Sequence, residues 1–308
     1  MEGCCLTAEG RMTQLAEEYF HEPALRQLAS EFIVYKSTES RVFGTLASLH
    51  CQMHGGTADQ AVYAAAAAEL MMLALDIYDD LQDGDNDAVP WAQCPPPLAL
   101  NSAIGFQALA LEALRRGGEG CPARHAELAI QKLNEGVLRA VNGQHADLRS
   151  EWQTEEACLQ MIADKSGALV AAVCMAGTAL AAGERGCYEA IAAYGQAIGI
   201  AAQLRNDVDG LERWDKRNDL LHRKRTLPLL FIMEDQTEEA ERLRAYYSHR
   251  IGLEEILTDK LGVMEYIRRC GCLEYAQVHR YIQKGVAEQI IAGLELEEHW
   301  KEALLEYT

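Results

Sequence analysis

The stretch that most constrains this chain is residues 61–83, an apolar run with five consecutive alanines, Ala64 to Ala68, that ends in Asp79-Asp80-Leu81-Gln82-Asp83. Thr57-Ala58-Asp59-Gln60 ahead of it has capping-box spacing, so the run predicts one long helix. Alanines let neighbouring helices come close, and so continuous an apolar surface must be buried, which aims the charged end into a cavity instead of bulk water. On that helix Asp79 and Asp83 stand at i and i+4, and Asp80 and Asp83 at i and i+3, so the three carboxylates share one face. Like charges at that spacing cost roughly a few tenths of a kcal/mol per pair. No Lys or Arg lies between Glu69 and Trp91 to relieve them. The cluster therefore implies a cation. Oxygen ligands select hard ions, and Mg²⁺ is held by one or two carboxylates together with waters and phosphate oxygens.

The rest of the composition narrows the fold. Aromatic residues are 7% and prolines 7 in all, while the 49% hydrophobic content is largely Ala and Leu in long blocks. That is an all-α composition. The 308 residues allow one large domain or two ordinary ones; no linker-like stretch divides them, so a single domain over residues 1–308 is expected. With 28 Lys and Arg against 47 Asp and Glu, the charge balance disfavours anionic membrane surfaces and nucleic acid, and no nucleic-acid partner is expected. No stretch approaches the roughly 20 uninterrupted apolar residues of a membrane span, and the start lacks a charged region followed by an apolar one. No transmembrane segment is expected, and the compartment is expected to be cytoplasmic. The ten cysteines are scattered. Cys158, Cys174 and Cys187 fall in helical patterns as small hydrophobes, and Cys4-Cys5 and Cys270-Gly271-Cys272 lack zinc-site spacing.

In chain order, residues 8–20 predict a short helix, and Pro23 opens a long one to about His54 that carries Lys36 and Arg41. His50 and His54, at i and i+4 on it, are expected at the helix surface or partly buried. Residues 84–90 form an acidic loop. Further helices carry Gly143-Gln144-His145-Ala146-Asp147-Leu148, then Lys165-Ser166-Gly167 behind a Thr154 cap, then Gln203-Leu204-Arg205-Asn206-Asp207 over about 184–209. A basic, turn-like segment, 216–225, leads into Thr226-Leu227-Pro228, and amphipathic helix follows to the end. Gln203 with Asp207 (i, i+4) and with Asn206 (i, i+3) makes a second oxygen-rich face. Lys165 and Lys224 are isolated cations in apolar or turn contexts. Acidic faces that hold metal, with a few isolated cations, suit a diphosphate, whose charge metal ions neutralise while Lys side chains bind its outer oxygens.

These residues, in this order, resemble the trans-prenyl diphosphate synthase superfamily, the class I isoprenoid enzymes. The matching segments are Asp79-Asp80-x-x-Asp83, Gly143-Gln144-x-x-Asp147-Leu148, Lys165-Ser166-Gly167, Gln203-x-x-Asn206-Asp207 and Lys224-x-Thr226-Leu227-Pro228, over about residues 36–230. The resemblance implies the isoprenoid synthase fold, a bundle of long antiparallel helices around a central cavity, and a homodimer. It also implies about three Mg²⁺ ions bound with diphosphate. Carried over by position, Asp79, Asp80 and Asp83 bind two ions, and Asn206 binds the third with support from Gln203 and Asp207. Lys165 and Lys224 hold the diphosphate of an allylic prenyl substrate. Gln144 and Asp147 belong to the pocket, and His145 beside them is expected to pack or support. Ala74, five residues before Asp79, faces down the pocket with Met71 a turn further. A small residue there implies a substrate of C15 or longer.

The departures narrow the acceptor. Chain-elongating members follow the first motif with an Arg pair that works with an early Gly-Lys-x-x-Arg segment to hold isopentenyl diphosphate. Here the loop is Gly84-Asp85-Asn86-Asp87-Ala88-Val89-Pro90-Trp91, and the early diphosphate-binding candidates, Lys36 and Arg41, are too far apart for that pattern. Gly210 stands where the second motif has its last Asp. In these respects the chain is most similar to the ComQ-type isoprenyl transferases, which prenylate a Trp of a pheromone precursor peptide. That implies an allylic diphosphate and a Trp-containing precursor peptide as partners. Alternatives are a class I terpene cyclase, whose second motif would want Ser at 210 and Glu at 214 where this chain has Gly210 and Trp214, and a chain-elongating synthase. A non-enzymatic regulatory subunit is a further one, and it has no need of metal ligands.

Overall fold

The alanine- and leucine-rich sequence folds into helices: in a computed structural model these are α1 (Ala8–Tyr19), α2 (Pro23–Thr38), α3 (Val42–Met53), α4 (Ala58–Asp83), α5 (Pro96–Gly117), α6 (Ala123–Arg149), α7 (Glu155–Ile162), α8 (Ala168–Ala182), α9 (Tyr188–Glu212), α10 (Leu227–Glu234), α11 (Glu238–Tyr247), α12 (Leu253–Thr258), α13 (Lys260–Arg269), α14 (Cys272–Gly293) and α15 (Glu298–Leu305). A 3-10 turn at Pro90–Ala92, another at Gly183–Arg185 and a π-helical turn at Ala163–Gly167 complete the regular structure of the described residues. Those residues are 7–84, 86–150, 154–214 and 218–308. Asp85 of the acidic loop, Lys216 at the start of the basic segment and the Cys4-Cys5 pair lie outside them. The chain divides into two compact units, residues 1–138 with 169–192 and residues 139–168 with 193–308.

In the first unit α4 is the central element, packed against α5 and α3 with α1 and α2 completing the shell. Its capping box forms as expected: the N–H of Gln60 donates to Thr57 Oγ1 and the N–H of Thr57 to Gln60 Oε1. All five alanines are buried, and Phe32, Phe106, Leu70, Met71 and Leu73 fill the core beside them. Each large side chain contributes about 1.5–3 kcal/mol. Gly84, at φ 65°, ends the helix in the left-handed conformation, which glycine adopts without a Cβ penalty, and its N–H donates to the Asp80 carbonyl.

The single helix expected from Pro23 to His54 is two. Ser37 and Thr38 turn their hydroxyls back onto the carbonyls of Ile33 and Tyr35, and the Arg41 guanidinium takes the Ser37 carbonyl. Side chains that bind nearby backbone in this way compete with helix continuation. α3 then starts without a cap of its own. Its Gly44 N–H donates instead to the Glu69 carboxylate of α4 at 2.6 Å, which sets an anion at the positive end of the helix. His50, expected near the surface, is fully buried. Burial, then the neighbouring His54, pushes its pKa down to about 3.

In the second unit, Leu211, Leu229, Ile232, Leu243, Tyr246, Ile256 and Ile267 form one core, and Cys158, Ile162, Ile200, Leu204 and Leu227 form another. α10, opened by Pro228, packs on α14, α11 and α7. Cys158 and Cys174 are buried as expected, whereas Cys187 precedes α9 and is exposed. Counting uninterrupted apolar residues also understated three helical segments. Ala58–Asp83, Pro96–Gly117 and Glu155–Arg185 are long and apolar enough to cross a membrane by length and composition, because isolated polar residues such as Glu69 break the count without lowering the mean much. In two of them, 72% and 78% of the apolar window is buried within the protein.

Candidate active site

In the first unit, the last turns of α4 place Asp79, Asp80 and Asp83 half-buried at a helix C-terminus that carries no basic residue. That end of the helix is already partly negative, which disfavours each carboxylate there by ~0.3–1 kcal/mol. Asp80 is held by the following loop: Trp91 Nε1 donates to Oδ2 at 2.7 Å and Asn86 Nδ2 to Oδ1 at 2.9 Å. One turn below, Lys36 is buried and closes on Asp76 at 2.6 Å and Glu39 at 3.3 Å. Burial works against its charge, but Asp76, by Coulombic attraction and a hydrogen bond, and then Glu39 outweigh that and raise the pKa. Arg41 donates to the Ser37 carbonyl and, at 3.2 Å, to Glu9. Both early diphosphate-binding candidates are thus turned onto the protein's own acceptors. Ala74 and Met71, expected on a pocket wall, have no exposed surface and are packed in the interior of the unit.

In the second unit the motif residues come together across α6, the π-helical turn and α9. Lys165 Nζ pairs with Asp147 Oδ2 at 2.7 Å. Ser166 Oγ donates to Gln203 Oε1 at 2.8 Å, and Gln203 Nε2 donates to Asp207 Oδ1 at 2.8 Å. Two glycines make this closeness possible. A Cβ on Gly143 would lie 2.7 Å from the Lys165 Cα and the Asp164 carbonyl carbon, and one on Gly167 would lie 3.0 Å from Gln196 Cγ. The π-helical turn falls on the Lys165-Ser166-Gly167 motif, and such turns recur at functional sites. Arg139 braces it by donating to Asp164 and, at 2.8 Å, to Gln196.

Asp207 is buried, and burial pushes its pKa up to about 7; the Gln203 hydrogen bond opposes this and Asp219 and Asp147 add to it. Asn206, expected as the leading ligand of this face, is exposed, while Gln144 is half-buried and His145 is exposed rather than packed. Lys224 is half-buried, with its N–H donating to the Asp219 carbonyl and its own carbonyl accepting from Tyr247.

Three participants were missed from the sequence. Trp91 and Asn86 are signalled only by their place after the first motif. Asp219 is signalled by the Asn-Asp turn: buried Asn218 donates to the carbonyls of Gly210 and Leu211, and this sets the Asp219 carboxylate where a Cβ on Gly210 would collide with it. A carboxylate thus stands beside the glycine that replaces the last Asp of the second motif.

Among the described residues no three His, Cys, Asp or Glu side chains gather closely enough to cage a metal alone. The all-oxygen donors fit a hard ion that completes its shell with water and phosphate, as Mg²⁺ does.

The family model for polyprenyl synthetases matches residues 22–260. The chain is 31% identical over 284 residues to the tryptophan prenyltransferase ComQ of Bacillus spizizenii, covering 92% of this chain and 97% of that protein. It is 29% identical over 250 residues to the (2E,6E)-farnesyl diphosphate synthase of Mycobacterium tuberculosis, covering 75% of this chain and 68% of that protein. A solved geranylgeranyl pyrophosphate synthase of Corynebacterium glutamicum, complexed with isoprenyl diphosphate and magnesium, superposes with a TM-score of 0.79 at 18% identity over 97% of this chain and 95% of that one. At that identity the likeness shows the fold, the all-α isoprenoid synthase fold.

Proposed function

The chain belongs to the polyprenyl synthetase family as a prenyl transferase acting on allylic diphosphates, and from that premise we propose that it prenylates a tryptophan of a precursor peptide and does not extend isopentenyl diphosphate. One observation carries this reading: Lys36 and Arg41, the cations an elongating enzyme would turn toward a second, metal-free diphosphate, are engaged by Asp76, Glu39, Glu9 and the Ser37 carbonyl. After the first motif, neutral donors from Asn86 and Trp91 meet Asp80. Neutral donors such as these give an anionic acceptor no charge to pair with, and an uncharged indole needs none. The identity to ComQ supports the same acceptor.

In this reading each motif has its own task. Mg²⁺, about three ions with the diphosphate, would be held by Asp79, Asp80 and Asp83 and by Gln203, Asn206 and Asp207, and supplies roughly several kcal/mol of charge stabilisation to the departing diphosphate. Lys165, oriented by Asp147, and Lys224 bind its outer oxygens. Gln203, fixed by Ser166, holds Asp207 in place. The apolar surface of α4 keeps water from the ionised prenyl chain, which is farnesyl-length or longer. A homodimer belongs to this reading, and exposed Leu98 and Ile104 on α5 are apolar side chains such an interface would cover; sedimentation velocity measures it.

The test is mass analysis of products from geranyl, farnesyl and geranylgeranyl diphosphate, each with Mg²⁺ alone, with isopentenyl diphosphate, and with a panel of Trp-containing peptides. Prenylated peptide is expected. A product longer by one isoprene unit, or a cyclic terpene formed without acceptor, overturns the reading.

A further inference from the structure

Arg139, Gly143 and Asp147 stand at i, i+4 and i+8 on α6, one stripe along the helix, and all three meet the π-helical turn. Consecutive residues of the turn pair with the two ends of that stripe: Asp164 with Arg139, and Lys165 with Asp147 at 2.7 Å. Gly143 lies between them, so close to the backbone of Asp164 and Lys165 that a Cβ would collide with it. The turn is thus pinned to α6 on both sides of the glycine, with acid and base exchanged between the two pins. The second oxygen of Asp164 accepts from Gln160 Nε2 at 3.0 Å. α9 adds a third hold, because its Gln196 packs against Gly167 and accepts from Arg139 Nη1 at 2.8 Å.

We infer that Arg139 is a positioning residue for diphosphate binding, holding the π-helical turn in the register that presents Lys165; this rests on the reading of Lys165 as a diphosphate ligand. The turn carries one residue more than an α-helical turn and is closed by the Ala168 N–H donating to the Ala163 carbonyl. One residue is roughly 100° of helix rotation, so relaxation to α-helix would swing Lys165 away from Asp147. The two pins respond differently to substrate. A diphosphate that draws on the Lys165 ammonium competes with Asp147 for it, and the pin at that end weakens as the ligand binds. Arg139 is committed through Nε and Nη1 to Asp164 and Gln196, so its pin persists. An ammonium would hold one of those partners, whereas the planar guanidinium reaches both. The Arg139 side chain is 41% exposed and that of Asp164 23%, and ion pairs so open to water stabilise a fold little. The effect of Arg139 therefore falls on the register of the turn.

Binding of inorganic diphosphate with Mg²⁺ is measured by titration calorimetry in the full-length protein, Arg139→Met, Lys165→Met and the double variant, with melting temperatures alongside. Lys165→Met is expected to lose about 10-fold or more in affinity, because a charge-assisted hydrogen bond is removed. Arg139→Met is expected to lose a similar factor with little change in melting temperature. In the Lys165→Met background, removing Arg139 is expected to change affinity by less than about twofold, since the arginine acts through that lysine. A merely structural role predicts otherwise: a lower melting temperature with affinity kept, or the same loss of affinity whether or not Lys165 is present. Either result overturns the inference. Should Arg139→Met fail to fold, Arg139→Lys, which keeps the charge and loses the fork, takes its place in the same four-way comparison. If Lys165→Met binds diphosphate as tightly as the unsubstituted protein, or if the unsubstituted protein binds none, the reading of Lys165 falls first and takes this inference with it.

Discussion

Replacing Gly143 with Ala tests whether the second unit's motif residues are held by close backbone approach. The added methyl would lie 2.7 Å from the Lys165 Cα and from the Asp164 carbonyl carbon, against backbone that cannot rotate away. Ordinary contact begins near 3.4 Å, so α6 and the π-helical turn must separate by something on the order of an ångström. Overpacking of this kind costs about 1–3 kcal/mol. For a unit of roughly 150 residues that lowers the melting temperature by about 2–12 °C. The same shift breaks the register between Asp147 and Lys165, now paired at 2.7 Å, and a misplacement of about 1 Å can cost ~100-fold in rate. The assay pairs differential scanning calorimetry with diphosphate release from an allylic substrate. Gly285→Ala is the control: that glycine lies inside α14 with nothing within 4 Å, so alanine there should stabilise by about 0.5–1 kcal/mol and leave turnover alone. If Gly143→Ala melts and turns over like the unsubstituted protein, the close-approach reasoning is wrong.

Substituting Asp79, Asp80 and Asp83 together with Asn should remove Mg²⁺-dependent diphosphate release while circular dichroism shows the helices intact; undiminished release would sink the assignment of these carboxylates. Ala74→Phe adds a ring to a fully buried position and should shift preference toward shorter allylic diphosphates, and an unaltered length preference among geranyl, farnesyl and geranylgeranyl substrates would remove Ala74 from the pocket. His50 is held neutral in the fold, with a pKa of about 3 against 6.5 when unfolded, so the unfolded chain gains a proton the fold refuses as pH drops below 6.5. Stability should fall by about 1.6 kcal/mol between pH 6.5 and 5 from this residue alone, and urea titrations at the two pH values should show a shallower fall in His50→Gln.

Local spacing carried the first part of this protein's structure. The capping box and apolar run that make α4, the three aspartates on its last turns, the Gln203–Asp207 pair and the ordered motifs that mark the family all depend on residues within a turn or two of one another, and helix geometry alone places them. What lay beyond the sequence depends on which faces meet. Lys36 looked available for a diphosphate until packing set it against Asp76, 40 residues away, and α3 took its anionic cap from Glu69 of α4. The α2–α3 break had a local signal in Ser37 and Thr38, but their hydroxyls can face solvent as readily as backbone, so only the folded chain decides. Ala163-Asp164-Lys165-Ser166-Gly167 is compatible with ordinary helix; its π-helical turn lies where α6 approaches at Gly143. Asp219 likewise reaches Gly210 because Asn218 ties the loop to the end of α9. Trp91 becomes a donor to Asp80 because α2 supplies the two rings that fix its plane, a contact between elements that no spacing along the chain encodes.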